Sequence, residues 1–345
     1  MTNSTVLVTG GAGYIGSHAA LALLAVGRAV AVADNLSTGF RQAVPPGVAF
    51  HEGDIADAAF VRAILADHQV GAVMHFAGSL SVAESVADPS KYYGNNTCAS
   101  LSLAGTCIEA GVNHFIFSSS AAVYGTPDHS PVAEDSPTAP VSPYGASKVM
   151  TETMLTDLAR AHPKFRPVCL RYFNVAGADP AGRSGQRGEE QVHLIPLGIE
   201  TALGLHPELL IFGDDYPTRD GTCERDYVHV SDLAQAHVAA LDYLEAGGEG
   251  AIMNCGYGRG YTVLEVIAAM EAVFGRELPK RRTARRPGDA VSAVSDVSLL
   301  KATLDWTPRY ESLETIIRTA LDWHASLAGQ PRPGAGSSRI GSSGP

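Results

Sequence analysis

The sequence predicts an α/β protein with a doubly wound parallel Rossmann sheet and a smaller mixed α/β substrate domain toward the C-terminus. Through the first half, short apolar runs alternate with segments of helical periodicity, which is the βαβ pattern of a parallel sheet. The first apolar run leads at once into a glycine-rich turn that opens a helix, as in dinucleotide-binding folds. The second half is less regular and fits a smaller domain.

The predicted elements follow from these runs. Strands of the first half are predicted at 5–10, 29–34, 48–54, 71–78, 114–120 and 167–173. Helices are predicted between them at 14–27, 57–68, 90–111 and 143–161. In the second half, a loop leads into a helix within 188–204. Further strands are predicted at 209–215 and 251–256, and helices at 230–247 and 262–275.

The domain division rests on composition. Residues 179–188 are rich in glycine and charge and form a plausible boundary. We therefore predict a dinucleotide-binding Rossmann domain over 1–178, rejoined by segments near 225–256, and a second domain mainly over 179–328 that would bind the substrate. The tail 329–345 is rich in Gly, Ser and Pro and is predicted to be disordered.

Composition and charge exclude several classes of protein. The chain has 345 residues, 45% of them hydrophobic, and a net charge of -11, which repels nucleic acid and acidic membranes. Five scattered cysteines without a C-x-x-C pair indicate reduced thiols in the cytoplasm and no metal site. Neither a long apolar run nor a basic N-terminal region is present, so we expect no membrane span and no signal peptide.

The stretch TGGAGYIGSH (9–18) predicts a dinucleotide site. Gly10, Gly13 and Gly16 have G-x-x-G-x-x-G spacing, which lets a pyrophosphate approach backbone N–H groups at the helix start. Asp34 ends the second strand, 18 residues after Gly16, where a carboxylate can accept hydrogen bonds from the adenosine ribose. Its charge would repel a 2′-phosphate and so favours NAD over NADP, although Asp34 could instead cap a helix.

The stretch SPYGASK (142–148) predicts the catalytic centre. Tyr144 and Lys148 lie four residues apart behind a helix-starting proline, so both side chains share one face. A lysine ammonium and a nicotinamide cation would both favour the phenolate, which makes Tyr144 a candidate base. Ser120 ends the fifth strand of SSSAAVYG (118–125) and supplies a hydroxyl beside Tyr144. The alternative is a Tyr–Lys pair on the helix surface.

At these residues the chain resembles the extended short-chain dehydrogenase/reductase family, and within it the 4-epimerases of UDP-glucose and UDP-galactose. The resemblance runs from about residue 4 to 328. It is carried by VLVTGGAGYIGSH, ADNLSTG, EGDI, HFAG, YYGNN, FIFSSSAAVYG, SPYGASK, LRYFNVAGA, IFGDDYPTRDGT, RDYVHVSDLA and RRPGDA. Of these, IFGDDYPTRDGT is specific to sugar-nucleotide epimerases.

The resemblance implies NAD as cofactor, a UDP-sugar as substrate and a homodimer formed through the helices at 90–111 and 143–161. It implies cofactor contacts from Tyr14, Ile15, Asp34, Asn35, Leu36, Ser37, Thr38, Gly39, Asp54, Ile55, Phe76, Ala77, Gly78, Asn95, Ser120, Tyr144, Lys148 and Phe173. It implies substrate contacts from Ser120, Tyr144, Asn174, Leu194, Leu210, Ile211, Phe212, Arg225, Arg286 and Asp289. The two arginines would grip the diphosphate, the alternative being solvated charge.

The implied reaction is oxidation at sugar C4, rotation of the 4-keto sugar and re-reduction on the other face. Two departures from the family pattern bear on binding. Leu80 stands where many relatives carry a cofactor-contacting lysine, which removes one polar contact. Ala293 stands where some bacterial members have a bulky tyrosine, which would leave a roomier sugar pocket.

Three alternatives remain open. Sister specificities would be UDP-xylose/UDP-arabinose or UDP-N-acetylglucosamine 4-epimerases. Dehydratases or decarboxylases of sugar nucleotides need further acid and base groups, and dehydratases carry Asp-Glu after the strand-end hydroxyl. Here Ala121 and Ala122 stand in those places, which argues against dehydration. An NAD-binding scaffold without turnover would usually have lost the Tyr or the Lys.

Overall fold

The structure is a computed structural model that describes residues 4–188, 193–286 and 288–327. Its strands are β1 Thr5–Thr9, β2 Val30–Asp34, β3 Ala49–Glu52, β4 Val70–His75, β5 His114–Ser120, β6 Arg166–Tyr172, β7 Asn174–Ala176, β8 Leu209–Phe212, β9 Glu224–His229, β10 Ala251–Cys255, β11 Gly260–Thr262, β12 Lys280–Thr283 and β13 Ser292–Ala293. Its helices are α1 Tyr14–Ala25, α2 Ala58–Asp67, α3 Val82–Ala87, α4 Pro89–Tyr92, α5 Ala99–Glu109, α6 Pro143–Ala161, α7 Leu194–Ala202, α8 Val230–Glu245, α9 Val263–Phe274, α10 Ser298–Thr303 and α11 Leu313–Leu327.

A seven-stranded parallel sheet forms the centre of the molecule. Its strand order is β10-β6-β5-β4-β1-β2-β3. From β1 the chain adds β2 and β3 on one side and then adds β4, β5 and β6 on the other, so the strand order reverses between β1 and β4. In doubly wound sheets, ligands bind outside the carboxyl ends of the strands at such a reversal. The predicted fold class is therefore confirmed, and β10 comes from the second half of the chain to pair with β6.

Helices cover both faces of this sheet, because its strands carry apolar side chains on both sides. On one face, α1 and α8 pack over a core that includes Val8, Leu23 and Leu241. On the other face, α2, α5 and α6 pack over a second core that includes Val73, Leu103 and Leu155. The first core continues into the C-terminal half through α7, α9 and α11.

The C-terminal half adds two small sheets beside the carboxyl edge of the large one. In the first, β9 pairs with β11 and β13 and also with β7. In the second, β8 pairs in parallel with β12, which contains the basic run Lys280–Thr283. These small sheets place the arginine-bearing segments near the carboxyl edge of the central sheet.

The structure differs from the predicted elements in three places. The helix predicted at 90–111 is two helices, α4 and α5, joined by a π-helical segment, Tyr93–Cys98. The strand β8 lies within the segment predicted at 209–215, whereas the other short strands of the small sheets and the helices α3, α10 and α11 were not predicted from the sequence. The predicted disordered tail 329–345 lies outside the described residues.

No helix in the described part of the chain is long and apolar enough to cross a bilayer.

Candidate active site

The glycine-rich turn between β1 and α1 makes two close backbone approaches. Gly10 has φ +70°, and a Cβ there would lie 2.5 Å from the Ala77 backbone nitrogen. A Cβ on Gly16 would lie 2.2 Å from the Gly10 carbonyl oxygen. Side chains are thus excluded at both positions, and the turn lies against the segment that follows β4.

Asp34 closes this turn from the end of β2. Its carboxylate accepts hydrogen bonds from the backbone N–H of Ala12 at 2.9 Å and of Leu36 at 2.8 Å. Leu36 lies in the left-handed region with φ +58°. Asp34 therefore shapes the loop that would surround a ribose and does not cap a helix of the described chain.

The other predicted cofactor residues fall into two groups. Several lie along the carboxyl edge of the sheet, in the segments after β2, β3 and β4: Asn35, Ser37, Thr38, Gly39, Asp54, Phe76, Ala77 and Gly78. In the second group, the side chains make contacts within the protein itself. The Tyr14 hydroxyl donates to the Gly177 carbonyl at 2.6 Å, and Ile15 and Ile55 pack into the cores. Leu80 is 61% exposed, so its side chain points to solvent.

The serine triplet at 118–120 ends β5, and each hydroxyl has a different partner. Ser118 is hydrogen-bonded to the Tyr172 hydroxyl, and Ser119 donates to the Glu152 carboxylate at 2.5 Å. Ser120 accepts from the Ala122 N–H at 3.2 Å, and its hydroxyl lies close enough to Tyr144 to lower the pKa of that phenol. Only the last of these partners was expected from the sequence.

Tyr144 and Lys148 lie on the buried face of α6, directly over the end of β5. The Lys148 ammonium donates to the Ser118 carbonyl at 2.8 Å and lies 5.8 Å from the centre of the Tyr144 ring. Lys148 is 6% exposed. The structure thus brings Ser120, Tyr144 and Lys148 together at the carboxyl edge of the sheet.

Burial dominates the acid–base behaviour of this trio. It raises the pKa of the Tyr144 phenol, and the hydrogen bond from Ser120 partly opposes that rise. Burial also lowers the pKa of Lys148 to about 8, against the charge of Glu152, which raises it. With the protein groups alone, burial is the largest influence on the Tyr144 pKa and moves it away from the range of a base at neutral pH. The expectation that Lys148 and a bound nicotinamide cation favour the phenolate stays a prediction.

Gly145 lets the start of α6 approach the turn that follows β5, and no pattern in the sequence predicted this role. A Cβ on Gly145 would lie 2.6 Å from the Ala122 carbonyl oxygen and 3.0 Å from Pro140. Ala122 belongs to the 3-10 turn Ala121–Tyr124 that follows β5. The first turn of α6 can approach that turn only because position 145 has no side chain.

The π-helical segment Tyr93–Cys98 positions the strand-end loop that follows β4. Asn95 donates to the Ser79 hydroxyl at 2.9 Å. Asn96, which is 3% exposed, accepts from the Ser79 N–H at 2.7 Å and donates to the Ser147 hydroxyl at 3.1 Å. Asn96 therefore ties the predicted cofactor segment to α6. Only the paired asparagines of YYGNN signalled it in the sequence.

The predicted diphosphate-binding residues also lie together. Arg225 on β9 donates to the Ala290 carbonyl at 2.9 Å and pairs with Asp289 at 3.4 Å. Arg286 lies 3.7 Å from Asp289 and stacks 4.0 Å above the Phe212 ring. Arg286 is 56% exposed, and so its guanidinium is accessible to a ligand. The remaining arginines of the run form exposed ion pairs, such as Arg281 with Glu208.

The other predicted substrate residues lie on several elements. Asn174 begins β7 and Leu194 begins α7. Phe173, which was predicted as a cofactor contact, packs beside the 3-10 turn. Leu210 is 37% exposed, whereas Ile211 is 2% exposed and packs into the core. Ile211 can therefore meet a ligand only through its backbone. Ala293 lies beside Arg225 in the pairing of β13 with β9.

The glycine loop leaves open space beside Gly13. A Cβ on Gly13 would meet only the Gly10 carbonyl, at 3.2 Å, so the space above the start of α1 is open. The first N–H groups of a helix have no partner within it and favour an anion. With Asp34 at the end of the neighbouring strand, these groups fit the pyrophosphate and ribose of NAD.

Comparisons with known proteins agree with this geometry. The model of the NAD dependent epimerase/dehydratase family matches residues 6–256. A UDP-glucose 4-epimerase from Azospirillum brasilense is 52% identical over 338 residues, covering 97% of each chain.

Solved structures match across the same extent. The UDP-glucose-4-epimerase from Stenotrophomonas maltophila, with bound NAD and formylated UDP-arabinopyranose, has a TM-score of 0.92 at 39% identity and covers 94% of this chain and 99% of that one. The UDP-glucose 4-epimerase from Brucella ovis in complex with NAD has a TM-score of 0.89 at 44% identity, covering 92% and 98%.

Proposed function

The chain belongs to the NAD dependent epimerase/dehydratase family, and on that premise we propose that it interconverts UDP-glucose and UDP-galactose with NAD as its bound cofactor. The observation that carries the proposal is the meeting of Ser120, Tyr144 and Lys148 beside a strand end that is followed by alanines. The names of the relatives support the same substrate pair over the sister specificities.

The cofactor would be held by backbone and side-chain groups along the carboxyl edge of the sheet. The N–H groups at the start of α1 would bind the pyrophosphate, and Asp34 would bind the adenosine ribose. Lys148 would orient the nicotinamide ribose. Bound NAD would take up hydride from the sugar C4 and return it to the opposite face of that carbon.

The protein's own part in the chemistry would be to move one proton. The Tyr144 oxygen would accept the proton of the sugar 4-hydroxyl, and the Ser120 hydroxyl would bridge the two. Such general-base help typically contributes about 10²–10⁴ in rate. Tyr144 would return the same proton when the keto sugar is reduced from its other face.

The arginine cluster would anchor the nucleotide while the sugar turns over. Arg225 is oriented by the Ala290 carbonyl and Asp289, and Arg286 is exposed above Phe212. Guanidinium groups bind diphosphate oxygens through paired, charge-assisted hydrogen bonds. An anchored diphosphate would let the 4-keto sugar rotate without leaving the site.

The remaining proposals concern organisation. We propose that residues 1–178 with the segments near 225–256 bind the cofactor, and that 179–328 mainly bind the UDP-sugar. We also propose a cytoplasmic homodimer formed through α5 and α6. In support, Met150 and Leu101 are large apolar side chains exposed on these helices, at 47% and 48%.

The test is to give the purified protein UDP-galactose without added NAD and to follow the formation of UDP-glucose. We expect interconversion, because NAD is regenerated in place and should remain bound. Tyr144→Phe should lower kcat by about 10²–10⁴ while NAD is retained. Absence of interconversion by the unaltered protein, or near-normal kcat in the variant, contradicts the proposal. Activity with UDP-N-acetylglucosamine, measured for the unaltered protein and for its Ala293→Tyr variant, tests whether Ala293 leaves a roomier sugar pocket.

A further inference from the structure

Behind the catalytic trio, a buried ion pair joins α6 to the ends of two sheet strands. The Glu152 carboxylate accepts from the Arg171 guanidinium at 2.9 and 2.6 Å, and from the Ser119 hydroxyl at 2.5 Å. The three residues are 3%, 5% and 0% exposed. A charge pair so far from water is costly unless its geometry is complete.

The strand register places both partners of Glu152 beside the catalytic serine. Ser119 and Arg171 face each other in the pairing of β5 with β6, and Ser119 directly precedes Ser120. Successive side chains of a strand point to opposite faces, so Ser119 points away from the face that Ser118 occupies. Glu152 thus binds the residue pair that directly precedes the last pair of the two strands, which contains the catalytic Ser120.

On its own helix, Glu152 lies two turns after Tyr144 and one turn after Lys148. Residues four apart on a helix share a face, so the three side chains form one stripe toward the sheet. Each contacts the end of β5: Tyr144 at Ser120, Lys148 at the Ser118 carbonyl, and Glu152 at Ser119.

We propose that Glu152 is a positioning residue for the reaction proposed above. Held by Ser119 and Arg171, Glu152 fixes α6 against β5 so that Tyr144 meets Ser120. The negative charge of Glu152 also stabilises the Lys148 ammonium. This inference rests on the proposed function, and neither the family resemblance nor the predicted site residues include it. Glu152 touches neither substrate nor cofactor and acts through its neighbours.

The charge environment of Lys148 supports the second half of this role. Its titratable neighbours are Tyr144 and Glu152 on α6, the Cys169 thiol on β6 and the His75 imidazole on β4. Burial lowers the pKa of His75 to about 3 and raises that of Cys169, so both are neutral at physiological pH. Among these neighbours, the ion-paired Glu152 carboxylate is the one that carries charge and opposes the loss of the lysine proton.

The experiment separates the charge of Glu152 from its link to the strand. Glu152→Gln keeps the shape and removes the charge. We expect kcat to fall about 10–100-fold, the KM for UDP-galactose to stay within about twofold, and the alkaline limb of kcat to move about one pH unit lower. Ser119→Ala keeps the ion pair and removes the link. We expect a lower kcat with an unmoved alkaline limb.

The matched control is Glu245→Gln, which neutralises one of the two carboxylates paired with Arg28, a largely buried side chain far along the chain from the site. It should leave kcat and its pH profile unchanged even if it lowers Tm. A second readout does not need turnover. The protein has five lysines, and NMR of ¹³C-lysine-labelled protein follows the titration of each. The Lys148 resonance should titrate at lower pH in Glu152→Gln than in the unaltered protein. Lys148→Met assigns that resonance.

The outcomes are distinct. If the unaltered protein does not interconvert UDP-sugars, the proposed function is contradicted. The titration of Lys148 in Glu152→Gln then still tests the role of Glu152. An active protein whose Glu152→Gln form keeps its kcat and its Lys148 titration overturns the inference alone. If Glu152→Gln does not fold, Ser119→Ala decides: an unchanged kcat overturns the positioning role.

Discussion

The clearest quantitative prediction concerns Gly145, because its role follows from a single close contact. In Gly145→Ala, the new Cβ would lie 2.6 Å from the Ala122 carbonyl oxygen. A carbon–oxygen contact is comfortable at about 3.3 Å, so the helix start or the 3-10 turn must give by roughly 0.7 Å. Tyr144 directly precedes Gly145, so that movement increases the distance between Tyr144 and Ser120.

The magnitude follows from how steeply catalysis depends on geometry. A misplacement of about 1 Å costs on the order of 10²-fold in rate, so we expect kcat to fall about 10–100-fold. Overpacking of this kind costs about 1–3 kcal/mol in the free energy of unfolding. Bound NAD should be retained, because the glycine loop and Asp34 are untouched.

The assay measures kcat with saturating UDP-galactose, the NAD content of the purified protein and Tm. Gly94→Ala is the matched control, since Gly94 is exposed and a Cβ there would meet no atom within 4 Å. The control should keep kcat. A folded Gly145→Ala protein with kcat within about twofold of the unaltered protein would refute the reasoning, because the close approach would then not be needed.

Two further predictions concern the cofactor and the lysine. Asp34→Ala leaves the N–H groups of Ala12 and Leu36 without their charged acceptor, and each such hydrogen bond contributes about 1.5–3 kcal/mol. We expect at least about tenfold weaker NAD binding, measured as NAD content and by rebinding; stoichiometric NAD after purification would argue against it. Burial lowers the Lys148 pKa to about 8, and since its role requires the ammonium, kcat should be highest below pH 8 and fall as the pH rises through about 8. A kcat that stays flat to about pH 10, the ordinary range of lysine, would contradict that role.

Local sequence patterns predicted much of the fold. The strand at 114–120 and the helix at 143–161 have the bounds that the structure gives β5 and α6. Their apolar runs and the Ser142–Pro143 start signal are local, and such signals survive in any tertiary setting. The prediction failed where structure depends on distant partners. The short strand β7 pairs with β9, which lies far away in sequence, and β9 also pairs with β11 and β13, so these strands form only through distant partners.

The π-helical segment shows the same limit within a predicted helix. Residues 93–98 carry no proline and continue the helical pattern, so the sequence predicted one helix over 90–111. The wider turn coincides with two hydrogen bonds to the loop that follows β4: Asn95 donates to the Ser79 hydroxyl, and Asn96 accepts from the Ser79 N–H. Those bonds exist only once the loop and the helix have packed together.

By itself, the sequence determined the parallel sheet, the glycine turn, the preference for NAD and the candidate trio, because each depends on residue types at short, fixed spacing. Only the tertiary structure decided what Ser118 and Ser119 do, since their partners Tyr172 and Glu152 lie 54 and 33 residues away. It also decided that burial, rather than the lysine charge, dominates the Tyr144 pKa. Desolvation is a property of the packed core around a group, and the order of residues along the chain does not specify it.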